Sequence, residues 1–161
     1  MTPAERESLI RRYEAGPALL AAALAETPRA ALRWQPAPGK WSTHEVIVHC
    51  ADSETNSHMR IRYLVAEPNP TIVGYDQDRW VAAMDYHAHP LEPAMAAVAA
   101  ARANTVPLLR RMSEADWARM GMHTESGVYG AEDWLRTYAE HLEVHDRQIR
   151  RNLEAWKRAS R

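Results

Sequence analysis

Residues 42–66, STHEVIVHCADSETNSHMRIRYLVA, open with Ser42 and carry Glu45 three positions later, the spacing of a capping box in which side chain and backbone satisfy each other's first-turn groups. No proline or glycine interrupts the run that follows. This predicts a helix from Ser42 or Thr43 to about Ala66. N-terminal to it, residues 34–40 (WQPAPGK) bar regular structure, and before them Pro3 to about Glu26 is rich in Ala, Leu, Arg and Glu. Leu9, Tyr13, Leu20 and Leu24 keep helix-compatible spacing there, and the pattern stops before Thr27 and Pro28.

C-terminal to the opening stretch, residues 68–74 (PNPTIVG) form a second breaker run, and residues 75–84 (YDQDRWVAAM) read as one short helix packed as a lid. A third long helical pattern starts at Leu91 or Glu92 and runs through Met95, Val98, Ala99, Arg102 and Val106 to Met112, with Pro107 a candidate kink. Residues 113–128, which include Gly121 and Gly127, read as a long loop, and from about Gly130 the chain is helical to Lys157. Four long helices without strand alternation predict an all-α fold. It is a four-helix bundle in a single domain, 1–161, with one extended crossover between the second and third helices.

A chain of 161 residues can bury about two-thirds of its unfolded surface, so its core needs neither disulfides nor a structural metal. The lone cysteine, Cys50, excludes an internal disulfide framework and suits a reducing compartment, which makes the cytoplasm the expected location. No segment has the roughly 20 apolar residues of a membrane span, and the first residues lack a signal-peptide core. Lys plus Arg at 20 against Asp plus Glu at 21 argues against a nucleic-acid module. The basic cluster from Arg147 to Arg161 reads as the solvated end of the last helix, where cations suit the macrodipole.

The chemistry lies in the histidines. His141 and His145, four apart within residues 138–147 (YAEHLEVHDR), project from one face of a helix within roughly 40° of each other. Two imidazoles so placed can share a cation. A third ligand from a distant helix would leave a position open for water or substrate, as catalytic sites do. On the His49 face lie Glu45, Ser53 and Asn56, with Asp52 beside it; on the other helix the matching stripe is Trp134, Tyr138, His141, His145 and Gln148. Facing polar stripes point to a polar cavity or a bound ion. Spacing alone leaves a second reading open, in which these are surface or hydrogen-bonded core histidines and Leu142, Ile149, Leu153 and Trp156 form the core face.

The order of these elements decides further. Trp41, Ser42, Glu45, Val46, His49, Asp52 and Ser53, then Asn56, Ser57 and Arg60, then Pro70, Thr71, Ile72, Tyr75, Asp76 and Trp80, and finally His141, His145, Gln148 and Ile149 occur in the pattern of a known family. Over nearly its whole length the chain resembles the DinB-like superfamily and, within it, the YfiT branch of metal-dependent hydrolases and thiol transferases. The resemblance implies a bundle, often a homodimer, in which His49, His141 and His145 hold one divalent metal ion, zinc or nickel. It further implies a small-molecule substrate and a low-molecular-weight thiol as reactant. An alternative is a non-catalytic small-molecule-binding or stress-response bundle with a metal anchor, and a third is a purely structural dimerisation bundle.

Around such a centre Asp52 is the expected carboxylate behind a histidine, or else an exposed helix carboxylate. Asn56 and Gln148 are candidates for hydrogen bonds to substrate, and Tyr138 either supplies a proton or packs. Arg102, set in the apolar run 94–103, either reaches a substrate carboxylate or extends its stem from the outer face to solvent, the latter being favoured. His44, His58, His87, His89 and His123 are expected on the surface or in loops, with His123 the best placed to approach the cavity mouth. Cys50 points about 100° away from His49 and is not expected to act.

Overall fold

The computed structural model describes all 161 residues. The capping box at Ser42 is formed: Ser42 Oγ accepts from the Glu45 amide at 3.3 Å, and Glu45 Oε2 accepts from the Ser42 amide at 2.7 Å. It starts α2 (Thr43–Ala66), and a matching box at Thr2 and Glu5 starts α1 (Pro3–Glu26). The other long helices are α4 (Leu91–Arg111), which continues through Pro107, and α6 (Ala131–Ala159), whose Asp133 accepts from the Gly130 amide. Replacing Ser42 with alanine removes the α2 cap from a buried helix start and is expected to cost about 1 kcal/mol. Urea unfolding checks this, and an unchanged midpoint would show that the cap contributes nothing.

The long helices form a four-helix bundle in which α1 packs on α6 and α4, and α2 on α4 and α6. The crossover from α2 to α4 carries strand β1 (Thr71–Ile72) and the short helix α3 (Gln77–Ala83), capped by Asp76. The segment expected to be a loop is ordered instead. It holds helix α5 (Glu114–Trp117) and the hairpin β2 (Met120–His123) and β3 (Gly127–Gly130). β1 adds to β2 in parallel, with Thr71 opposite Met122, and β2 pairs antiparallel with β3, with Met122 opposite Val128. Strands of two to four residues are too short to show alternation, and their pairing joins segments about 50 residues apart. Gly127, at φ 78°, closes the hairpin in the left-handed region.

Two apolar clusters fill the bundle. One gathers Tyr13, Ile61, Leu64, Leu109, Trp134 and Leu135, the other Leu20, Val46, Ile47, Val98, Leu142 and Ile149. Along each helix the two are separated by a polar or small residue: Gly16 on α1, Glu54 on α2, Arg102 on α4 and His141 on α6. The bundle therefore has a polar layer across its middle. No helix is long and apolar enough to cross a membrane.

Candidate metal centre

Helix α2 brings His49, and α6 brings His141 and His145, to one point beside this layer. One ligand nitrogen from each lies within 4.8 Å of the others. The ring centroids of His141 and His145 are 4.7 Å apart, those of His49 and His145 4.9 Å, and those of His49 and His141 5.6 Å. A tetrahedral ion bound at about 2.0–2.1 Å spaces its nitrogens about 3.4 Å apart, so small side-chain rotations suffice to bring all three into reach of one cation.

Hydrogen bonds select the tautomers. His141 Nδ1–H donates to Glu54 Oε1 at 2.9 Å, and His145 Nδ1–H donates to Gln148 Oε1 at 2.9 Å. In a neutral imidazole this leaves the Nε2 lone pair of each ring free to face a metal. His49 is buried and neither of its ring nitrogens has a partner. A buried imidazole without partners carries an uncompensated desolvation cost, which a cation at one nitrogen would offset. Burial and the neighbouring histidines push the His49 pKa down to about 2, and burial together with His141 pushes that of His145 down to about 4. Both are therefore neutral at physiological pH, the form in which histidine ligates. The three residues offer the donor type, and His141 and His145 the tautomer, that a divalent cation requires.

The carboxylate behind the centre is Glu54, not Asp52. Asp52 Oδ2 accepts instead from the Tyr86 hydroxyl, which ties the crossover to α2. Glu54 is fully buried, and Arg102, 1% exposed, grips it with Nε at 2.9 Å and Nη2 at 2.7 Å. Burial alone pushes the Glu54 carboxyl up, but Arg102 and the His141 hydrogen bond outweigh it and hold it below the ordinary value. Arg102 thus neither reaches substrate nor extends to solvent. Its remaining donors bind the carbonyls of Tyr13 and Tyr138, and its guanidinium lies 4.1 Å from the Tyr13 ring centroid. A β-carbon at Gly16 would collide with this guanidinium, so glycine there is what lets the arginine approach α1. The sequence signal for Glu54 and Arg102 was one arginine in an apolar run, which does not reveal the direction in which the arginine points.

The remaining candidates take other places. Asn56 donates to the Asp52 carbonyl of its own helix at 2.9 Å, and Gln148 serves His145, so neither is committed to a substrate. The buried Tyr138 accepts from Arg60 Nη1 at 2.9 Å, and its ring lies 5.7 Å from that of His141. His44 is buried rather than exposed, with Nε2 2.8 Å from the His89 carbonyl, and the half-buried His58 has Nδ1 3.1 Å from Thr105 Oγ1. His123 stands away from the centre: its Nδ1 accepts from the Glu125 amide and so organises the hairpin turn. Cys50 is buried and its thiol pKa is raised by burial, consistent with an inert side chain. Trp41 covers the centre from one side, its ring 4.7 Å from His49, and is held by Nε1–H to Asp78 on α3.

Residues 12–149 match the sequence profile of the DinB superfamily. A relative from Oceanobacillus iheyensis, named as a candidate metal-dependent hydrolase, is 34% identical over 107 residues, covering 66% of this chain and 62% of that protein. One from Bacillus mycoides, named likewise, is 29% identical over 111 residues, covering 69% and 64%. The matched stretch thus spans less than two-thirds of the length of these curated relatives. Among solved structures, Bacillus subtilis YfiT, described as a candidate metal-dependent hydrolase with an unusual four-helix bundle topology, superposes with a TM-score of 0.88 at 24% identity. That match covers 99% of this chain and 90% of YfiT. With the fold and the sequence profile in agreement, the chain belongs to the DinB superfamily.

Proposed function

We propose that this chain is a metal-dependent enzyme acting on a small-molecule substrate, with His49, His141 and His145 holding one divalent cation, zinc or nickel. One observation carries the reading. Three imidazoles from two helices converge while His141 and His145 are each locked by a hydrogen bond at Nδ1. A cation so held keeps its charge and an open position, and supplies Lewis acidity that lowers the pKa of a water or thiol beside it. The chain's own residues do the rest: Glu54 and Gln148 orient the rings, and Trp41 shields His49 from solvent. The names of the relatives, metal-dependent hydrolases, support hydrolysis as the reaction class.

Transfer of a low-molecular-weight thiol is a second reading with an observation of its own. Glu54 is engaged by Arg102 and His141, and Asp52 by Tyr86, so neither stands free as a general base for a water. A thiol, more acidic than water to begin with, depends less on one. The test is turnover by zinc- or nickel-loaded protein of ester and amide substrates without thiol, and of electrophiles with small thiols. Activity is expected to vanish on chelation and return on metal addition. Bound metal below about a tenth of an equivalent after incubation with either ion, in protein prepared without an affinity tag, would sink the proposal.

A further inference from the structure

Helix α2 carries a second functional group on the face of His49. Eleven residues further on, Arg60 is turned only about 20° from it, with Ser53 and Asn56 between them on the same stripe. α6 runs antiparallel to this stripe, so that His145 and His141 meet His49 while Tyr138, one turn earlier, meets Arg60. The guanidinium donates to two neutral oxygens, Tyr138 Oη at 2.9 Å and the Val73 carbonyl at 2.5 Å, and forms no ion pair. Two of its five N–H donors are used, and three remain.

The crossover adds aromatic side chains beside Arg60. Arg60 Cζ lies 5.8 Å from the ring centroid of Tyr75, which stacks on Trp80 at 4.2 Å. The Tyr75 hydroxyl is buried beside Ser53 of the His49 stripe and makes no hydrogen bond within 3.5 Å. A half-buried guanidinium with three N–H groups to spare and a buried hydroxyl without a close partner, one tyrosine ring away from His141, make up an arrangement suited to an acceptor. An anion supplies both needs, and a carboxylate matches the planar fork with two parallel N–H···O bonds. Asp52, two turns back on α2, is held by Tyr86, and no carboxylate forms an ion pair with Arg60.

We propose that Arg60 and Tyr75 form the carboxylate-binding subsite of the reaction pocket, so that the substrate is a small carboxylic acid whose reacting end lies at the three histidines. Arg60 donates its spare N–H groups to the carboxylate and Tyr75 donates its hydroxyl to the same group. Tyr138, hydrogen-bonded to Arg60 and packed beside His141, sets the separation between the two ends. The proposal rests on the three-histidine centre being the reaction site, but carboxylate binding is measurable without metal.

The experiment is ligand-observed NMR with benzoate, using benzamide as the neutral control, on metal-free and zinc-loaded protein. Metal-free wild type is expected to bind benzoate at least tenfold more tightly than benzamide, and to shift the Arg60 Nε resonance on saturation. Arg60→Gln is expected to weaken benzoate about tenfold or more, and Tyr75→Phe by several-fold, with zinc affinity unchanged in both. Should Arg60→Gln fail to fold, Tyr75→Phe and the Arg60 resonance in wild type decide instead. Benzoate binding that needs zinc and is indifferent to both substitutions would overturn the subsite, since the carboxylate would then sit on the cation alone. Absence of zinc binding alongside Arg60-dependent benzoate binding would sink the metal reading and leave the subsite standing.

Discussion

Replacing His145 with alanine is expected to lower affinity for zinc or nickel by more than about 100-fold and to abolish any metal-dependent turnover, with the fold intact. His145 faces both other histidines, and its Nδ1–H is already committed to Gln148, so its Nε2 is available to the cation. Without it two nitrogens remain, too few to hold a cation that catalytic sites bind through three protein ligands. Loss of an outer partner alone typically costs 10–100-fold in affinity, so Gln148→Ala should fall between wild type and His145→Ala. The metal-free protein should not be badly destabilised, because the imidazole is held neutral in a buried place where it carries a solvation penalty. Chelator competition measures the affinities and circular dichroism the fold. Unchanged affinity in His145→Ala would place the metal elsewhere.

The second large effect concerns stability. Arg102→Met leaves Glu54 buried without its cation, and breaking a buried ion pair from one side costs about 3–5 kcal/mol. For a protein of this length that corresponds to a fall in Tm of roughly 6–20 °C. The double substitution Glu54→Leu with Arg102→Met removes both charges and should recover much of the loss, as apolar replacement of buried pairs often does. His141 would then lack its carboxylate, so the double variant should remain impaired in metal affinity by about 10–100-fold. Thermal unfolding and chelator competition on the same samples separate the two roles. Equal stability of Arg102→Met and wild type would refute the account of the polar layer.

The four long helices were legible because each signal for them is local. Ser42 and Glu45 cap α2 through contacts within one turn, Thr27 and Pro28 mark the end of α1, and no breaker interrupts the run from Ala131 to Ala159. The pairing of His141 with His145 was legible for the same reason, since their relation is set by helix geometry alone. His49 became their partner only through resemblance to a family, because nothing in its own neighbourhood says which helix it faces. The hairpin at residues 120–130 was missed because strands this short are stabilised by pairing with β1 across the crossover, which leaves no periodic trace.

The carboxylate behind the centre shows the limit most clearly. Asp52, three residues from His49, looked the better placed, yet α2 turns it toward Tyr86 and turns Glu54 inward to Arg102 and His141. The choice between these two acids depends on which side of α2 meets α4 and which meets α6, and on a glycine at position 16 that admits the guanidinium. By itself, the sequence determined the helices, their caps and the histidine pair, all of which arise from interactions within a few residues. Resemblance to a family named His49 as the third histidine, and only the tertiary structure decided the buried Glu54–Arg102 pair and the surroundings of Arg60. Burying a charge or leaving one without a partner depends on the surfaces that distant segments present to each other, and chain order does not encode those directly.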